Sequence, residues 1–422
     1  MEVARDIKTN ELKNIFSTDN LLKKTKGDKV IWALVISLTL FSLLAVYSAT
    51  GSLAYKNYKG NTEIYLIKQI MFIISGIVLI YFAHLVNYTY YSKIAQIAFL
   101  LSLPLLVYTL FFGVKMNEGS RWIKLPIINL TLQTSDFARL ALFMYLARII
   151  SKKQAVIKDF KKGFLWLIVP VFIVCLLIAP ANLSTALLLG ASCLLLMFIG
   201  RASVKHLLLV IGAAMIPILF LIAAAVIRHK KSAVEDEAHA PQKTVRLFVR
   251  LDTWIGRVEN YIYGGGDTDD DDYQSTQAKI AISKGGFFGV LPGNSTTRDY
   301  LPQAYNDFIY AVIIEEYGLV GGAFILFIYV VFLYRCIRIF KRCPYAFGAF
   351  LALGLSFTLV IQAMANMAVA VNLFPVTGVA LPLISMGGSS FIFTCLSIGI
   401  ILSVARNVEQ QEGKQAAAFE NV

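Results

Sequence analysis

The chain has 422 residues, of which 57% are hydrophobic and 15% charged, and its mean hydropathy is +0.67. A soluble domain of that length needs far more polar surface to cover its core, so a soluble globular fold is excluded. The formal net charge of +13 would suit nucleic acid in a soluble domain. Here the charges flank apolar runs, and no nucleic-acid partner is expected.

Residues 1–29 form a polar tail without the short apolar core of a cleavable signal peptide. Ten apolar segments follow, over 30–50, 66–86, 93–113, 134–150, 164–180, 183–199, 206–227, 305–334, 345–371 and 382–405. Several exceed the ~18 apolar residues that mark a membrane helix. The expected fold is an all-α polytopic membrane protein with about ten transmembrane helices. One membrane domain spans 30–406, and a short tail occupies 407–422. The fourth segment, "TSDFARLALFMYLARII", is the least apolar because it carries Asp136 and Arg139.

An even number of spans places both termini on one side. The alternate regions 1–29, 87–93, 148–163, 200–205, 335–344 and 406–422 hold 22 Lys and Arg, whereas the short loops opposite hold five. That bias predicts cytoplasmic termini. Residues 228–304, before the eighth helix, then form one long extracytoplasmic loop with ten basic and eleven acidic residues. A loop so long in a compact protein is either functional or disordered, and the helical-looking "YQSTQAKIAIS" predicts order in its second half. The five cysteines lie in or beside apolar segments and read as buried thiols, and the four histidines make no metal-ligand set.

The stretch "YLPQAYNDFIYAVIIEEYGLVGG" (300–322) enters the eighth apolar run with three carboxylates, Asp307, Glu315 and Glu316. Ionisable groups at membrane depth are expensive and mark functional or tightly paired positions. On a continuous helix Glu315 would lie about 80° around from Asp307 and about 12 Å below it, too far for the paired carboxylates of a glycosidase. Asp307 therefore acts singly, as a base or cation ligand, or else caps the helix start. Glu315 and Glu316 read as structural polar residues inside the bundle. Asp136 and Arg139, three residues apart, share a helix face as an ion pair or as one wall of a polar cavity. Lys115, Arg121 and Lys124 could meet an anionic headgroup. "GGGDTDDDDYQ" (264–274) lacks the glycine and final glutamate of a calcium loop and reads as a solvated acidic turn. "SMGGSSF" (385–391) lacks the spacing of a nucleophile elbow and predicts a re-entrant turn before the last helix.

The motifs resemble those of the SEDS family (shape, elongation, division and sporulation) over about residues 30–406. The family's "GxxRWI" reads "EGSRWI" (118–123) and its "QPSExxK" reads "QTSDFAR" (133–139). The "YQxxQ…GGxxG…GNS" run is "YQSTQAKIAISKGGFFGVLPGNS", and "LPxxxxDFIFAxxxEExG" is "LPQAYNDFIYAVIIEEYG" (301–318). The "PVTGxxLPfiSxGGSS" terminus is matched by "FPVTGVALPLISMGGSS" (374–390). The resemblance implies a peptidoglycan glycosyltransferase in the bacterial inner membrane. Such an enzyme polymerises lipid II into glycan strands with undecaprenyl pyrophosphate leaving by inversion. It works beside a class B penicillin-binding protein and other divisome membrane proteins.

"GNSTTRDYLPQAYNDFIY" favours the division branch and the septum; an elongation-type enzyme is the alternative, and a lipid II flippase the alternative from another class. The family's essential aspartate falls on Asp307. Arg121, Lys124, Asp136, Arg139, Gln274, Gln277, Asn294, Ser295, Ser389 and Ser390 become candidate substrate contacts. A divalent cation, magnesium or manganese, is implied without a readable metal site, and no organic cofactor is. Departures are Asp136 for Glu, Arg139 for Lys, Asn182 for the Asp of "PDLGTA", and Leu291 in a glycine-rich turn.

Overall fold

A computed structural model describes residues 27–58, 62–116, 119–124, 131–232, 246–263, 270–301 and 304–420. Its helices are α1 (Lys29–Ala49), α2 (Gly51–Tyr58), α3 (Glu63–Leu85), α4 (Tyr88–Phe112), α5 (Thr134–Lys153), α6 (Leu165–Ile178) and α7 (Leu183–Ile199). They continue as α8 (Val204–Ser232), α9 (Arg246–Tyr263), α10 (Asp270–Gly285), α11 (Ile309–Arg342), α12 (Ala346–Ala370) and α13 (Ser389–Glu420). Among the described residues, eight helices are long and apolar enough to cross a bilayer on those grounds alone. The shorter α7 and the more polar α5 complete the ten expected positions. The acidic run before Asp270 lies largely outside the described residues.

Buried apolar faces hold the bundle together, and small residues set its closest crossings. A Cβ on Gly76 of α3 would lie 2.6 Å from Cys395 Sγ on α13, and one on Gly399 of α13 would lie 2.6 Å from Ala83 Cβ. The central helix is α12, buried along nearly its whole length, with Gly354 set against Phe143 of α5 and Leu196 of α7. By contrast, α8 stands at the margin, with most of its residues exposed.

The ends at Gly27 and Glu409 share one face of the bundle. Gly27 N–H donates to Glu409 Oε2 at 2.9 Å, and Asp28 caps α1 through Val30 N while accepting the Arg335 guanidinium at 2.6 Å. This agrees with an even number of spans.

Two features depart from the sequence reading. Residues 114–133 carry a small antiparallel sheet, β1 (Val114–Met116), β2 (Gly119–Lys124) and β3 (Thr131–Gln133), in the order β1-β2-β3, so the chain is not wholly helical. Trp122 pairs with Gln133, delivering the chain into α5. The eighth membrane helix starts at Ile309 rather than 305, with Phe308 at its N-cap position and no side-chain cap bond. Asp307 therefore lies in the preceding turn and is not the cap.

Candidate active site

Gly318 divides α11 into two legs, with φ +70° and ψ −174° there. The legs fold against each other: a Cβ on Gly322 would lie 2.9 Å from Ile314 Cγ1 and 3.1 Å from the Tyr310 hydroxyl. In a straight helix those residues stand about 12 and 18 Å apart along the axis. Ile309–Glu316 is buried throughout, while Leu319 and Val320 at the start of the second leg are exposed.

Breaking a helix frees backbone groups that must find partners. The "SKGGFFG" loop supplies them. Val290 and Leu291 N–H donate to the carbonyls of Glu315 and Glu316 at 2.9 and 3.1 Å. Leu319 and Val320 N–H donate back to Gly286 and Phe287 O at 3.0 and 3.4 Å. Only glycine permits this approach, since a Cβ on Gly289 would lie 2.2 Å from Glu316 O and one on Gly318 2.2 Å from Phe287 O.

The two glutamates secure the next turn of the same loop. Glu315 accepts from the Ser295 hydroxyl at 2.5 Å, the Thr297 hydroxyl at 2.8 Å, and the N–H groups of Thr296 and Thr297 at 3.3 Å. Glu316 accepts from Gly293 N–H at 3.1 Å and from the Ser48 hydroxyl at the end of α1. Arg298 donates to Ser48 Oγ at 2.8 Å and to its carbonyl at 3.1 Å. These buried carboxylates tie residues 290–298 to α1 and α11.

At the other end of the short leg, Asp307 sits on a turn clamped from three sides. Asn366 of α12 donates through Nδ2 to Asp307 O at 2.8 Å and to Val379 O at 2.7 Å. Both partners are acceptors, which fixes the orientation of the amide. Ser385 donates to Asn306 O at 2.6 Å, and Met386 N–H to Tyr305 O at 3.1 Å. The Tyr305 hydroxyl lies within electrostatic reach of the Asp307 carboxylate and of Tyr65.

This turn is recessed into the bundle. The neighbouring Ile384 O accepts from Ser42 on α1 at 2.7 Å. Ser42 lies seven residues, about 10 Å, before the helix end at Ala49. The 379–388 segment is thus the re-entrant turn expected from "SMGGSSF", and it carries residues 305–307 inward with it.

A second polar cluster flanks the same turn. Arg139 pairs with Asp136 at 3.1 Å and bonds the Gln362 carbonyl, while Gln362 Nε2 donates to Ala380 O at 2.8 Å. Ser390 lies beside the Asp136 carboxylate, and Ser389 accepts from Gln133 N–H at 3.0 Å. The expected Asp136–Arg139 pair thus exists and reaches Asp307 through α12 and the re-entrant backbone.

Other expected residues lie apart. Asn294 bonds Val290 O within its own turn at 3.1 Å, and Leu291, exposed with φ +77°, takes the left-handed conformation of the glycine it replaces. Gln274 and Gln277 are half-buried on α10, whose Ser275 bonds Asn372 just beyond α12 at 2.7 Å. Lys124 is exposed on β2, and the Arg121 side chain lies outside the described residues. Asn182 caps α7 by accepting Thr185 N–H at 3.2 Å, a role an aspartate would also fill. A small crevice lined in part by Thr109, Thr134, Ser135 and Asn182 does not include Asp307. Asn366, Gln362, Ser385, Ser48 and Arg298 went unread in the sequence.

Among the described residues, no three His, Cys, Asp or Glu side chains come together as a cation site. The implied divalent cation therefore has no ready-made donor set there.

Eight apolar spans and a shorter apolar helix among the described residues, with an acid where the short leg of α11 meets the re-entrant turn, define a multi-pass membrane protein with a recessed polar site. The chain belongs to the FtsW, RodA and SpoVE family of cell cycle proteins, whose sequence pattern matches residues 28–410. It is 32% identical over 386 residues to the "Probable peptidoglycan glycosyltransferase FtsW" of Trichlorobacter lovleyi, covering 90% of this chain and 94% of the relative. It is 30% identical over 389 residues to the stage V sporulation protein E of Bacillus subtilis, covering 91% and 98%. Among solved structures, a chain of a peptidoglycan synthase complex that coordinates polymerization and crosslinking superposes with a TM-score of 0.69 at 21% identity, covering 91% of this chain and 99% of that one. The rod shape determining protein RodA of Thermus thermophilus superposes with a TM-score of 0.62 at 20% identity, covering 90% and 97%. At such identities these superpositions establish the fold alone.

Proposed function

We propose that the chain is a peptidoglycan glycosyltransferase of the bacterial cytoplasmic membrane. It polymerises lipid II at the outer face during septal wall synthesis, beside a class B penicillin-binding protein and other division proteins. The reading rests on family membership together with one observation: Asp307 stands at a junction of two re-entrant segments held by Asn366, Ser385 and Met386.

In the proposed reaction a sugar hydroxyl of one lipid II attacks the anomeric carbon of another. The glycosidic bond forms as the bond to undecaprenyl pyrophosphate breaks, with inversion at that carbon. Asp307 takes the hydroxyl proton as general base. Pyrophosphate leaves without a second carboxylic acid, which agrees with Glu315 and Glu316 being committed to the loop. Arg121, in the matching motif, and Arg139, held by Asp136 and Gln362, are the candidate cations for the developing negative charge. No step is routed through a metal ion. The buried acids Asp136, Glu315 and Glu316 lie toward the end of the bundle that carries Asp307, while Asp28 at the opposite face is taken up by Arg335, which favours chemistry at one face over transport across it.

The test uses wild type and Asp307→Asn, each purified with its cognate transpeptidase and given lipid II with and without divalent cation. Glycan strands from wild type alone, with the variant folded and partner-bound, support the assignment. Equal polymerisation by both removes Asp307 from the mechanism, and product from neither directs attention to a flipping assay.

A further inference from the structure

The face of the bundle that carries Gly27 and Glu409 also carries a basic corner between α5 and α6. Residues 152–162 contribute Lys152, Lys153, Lys158, Lys161 and Lys162 against a single acid, Asp159. That acid is engaged by backbone: its carboxylate accepts Lys162 N–H at 2.9 Å and caps the single π-turn Phe160–Phe164. The bond from Lys162 N–H, with the neighbouring N–H and ammonium groups, holds its carboxyl below the usual carboxylate range.

The corner is a built structure, not a loose basic tail. A Cβ on Gly163 would lie 2.1 Å from Val156 O and 2.6 Å from Ile157 Cα, so its two turns pack backbone to backbone. Ile157 is buried beneath them. Lys153 Nζ donates to Lys162 O at 2.9 Å and sits 4.3 Å above the Trp166 ring. His206 of α8 packs on Phe160 and Phe164 with ring centroids 5.1 Å apart, which brings Lys205 to the same corner. Lys152, Lys158, Lys161, Lys162 and Lys205 are exposed, and so are Phe160, Leu165 and Trp166 beside them.

Topogenic bias alone asks only that basic residues lie on this side of the membrane; it does not ask that they be held together on rigid turns. Fixed like charges repel, and an anion bridging them removes that repulsion. The exposed Trp166 and Leu165 continue the surface into the apolar belt of α6, the arrangement expected where headgroups meet acyl chains. A ligand with a phosphate at one end and hydrocarbon at the other satisfies both halves. We propose that this corner is a specific site for the phosphate headgroup of an anionic phospholipid.

The test compares the full chain with K161Q/K162Q and with R338Q/K341Q, which removes the same charge from exposed positions on α11. Each protein in neutral detergent receives mixed micelles of phosphatidylglycerol, micelles of phosphatidylcholine, or inorganic phosphate. Melting temperature and lipid retained in native mass spectrometry are read. Phosphatidylglycerol should raise the melting temperature and stay bound in wild type and in R338Q/K341Q. In K161Q/K162Q both effects should fall, with binding weaker by about tenfold. Phosphatidylcholine and inorganic phosphate should do neither. Equal retention by K161Q/K162Q, equal loss in R338Q/K341Q, or a full shift from phosphatidylcholine overturns the proposal. A full shift from inorganic phosphate also overturns it, in favour of a small-anion site.

Discussion

Gly289→Ala, set against Gly286→Ala, tests whether the bend in α11 depends on its backbone exchange with the loop. Both glycines have positive φ, +83° and +51°, so alanine at either position costs about 1–2 kcal/mol of backbone strain. They differ in surroundings. Nothing lies within 4 Å of a Cβ on Gly286, whereas one on Gly289 would meet Glu316 O at 2.2 Å and Gly318 N at 2.6 Å. The loop in Gly289→Ala must therefore lift, breaking the Val290 and Leu291 bonds to the carbonyls of Glu315 and Glu316. Two lost bonds at about 1 kcal/mol each, added to the strain, destabilise the segment by about 3–4 kcal/mol. Hydrogen exchange across residues 286–298 measures this as a local opening. Protection should fall by more than about a hundredfold in Gly289→Ala and by about tenfold in Gly286→Ala. Equal losses in the two variants would refute the argument, because only strain is common to both.

Asn366→Ala removes the donor shared by Asp307 O and Val379 O, and the turn it holds should shift enough to lower turnover by about a hundredfold, read as glycan synthesis at saturating lipid II. Asn366→Asp should do no better, since a carboxylate cannot donate to two carbonyls. Ser295→Ala deprives the buried Glu315 of one donor and should cost about 1–3 kcal/mol, read as faster exchange at 293–298. Asn182→Ala loses the cap of α7 at about 1 kcal/mol, while Asn182→Asp should keep it; melting temperatures of the two variants decide the point.

Charge in an apolar run was the readable signal, and it found Asp307, Glu315, Glu316, Asp136 and Arg139 without any structure. The helix boundary was harder. "QAYNDF" contains no proline or glycine to mark a break, so its aromatics read as the first turn of α11 and not as a recessed turn. The reversal at Gly318 was hidden for a related reason: hydropathy is the same whether an apolar run goes straight or doubles back. Its trace lay in two places at once, the glycines of "SKGGFFG" and Gly318 itself, and only their pairing in space joins them. Gln362 and Asn366 carry no charge, yet their i, i+4 spacing places two amides on one face of the helix at the centre of the bundle. That spacing was the available clue. The three-residue strands β1 and β3 are too short for an alternating pattern to show.

Several buried polar side chains near the site bond irregular backbone as well as one another. Ser385 serves Asn306 O, Gln362 serves Ala380 O, Asn366 serves Asp307 O, and Glu316 serves Gly293 N–H. The cost of an irregular backbone at membrane depth explains them without any catalytic role. Asp307 enters that scaffold through its main-chain carbonyl, which asparagine retains. Asp307→Asn therefore removes the charge and keeps the bond to Asn366, while Asn366→Ala breaks the bond and keeps the charge. If both variants fall to the same residual rate and only Asn366→Ala loosens residues 304–308 in hydrogen exchange, position and charge are both required. An inactive Asn366→Ala beside an active Asp307→Asn would make the turn itself, and not its carboxylate, the essential feature.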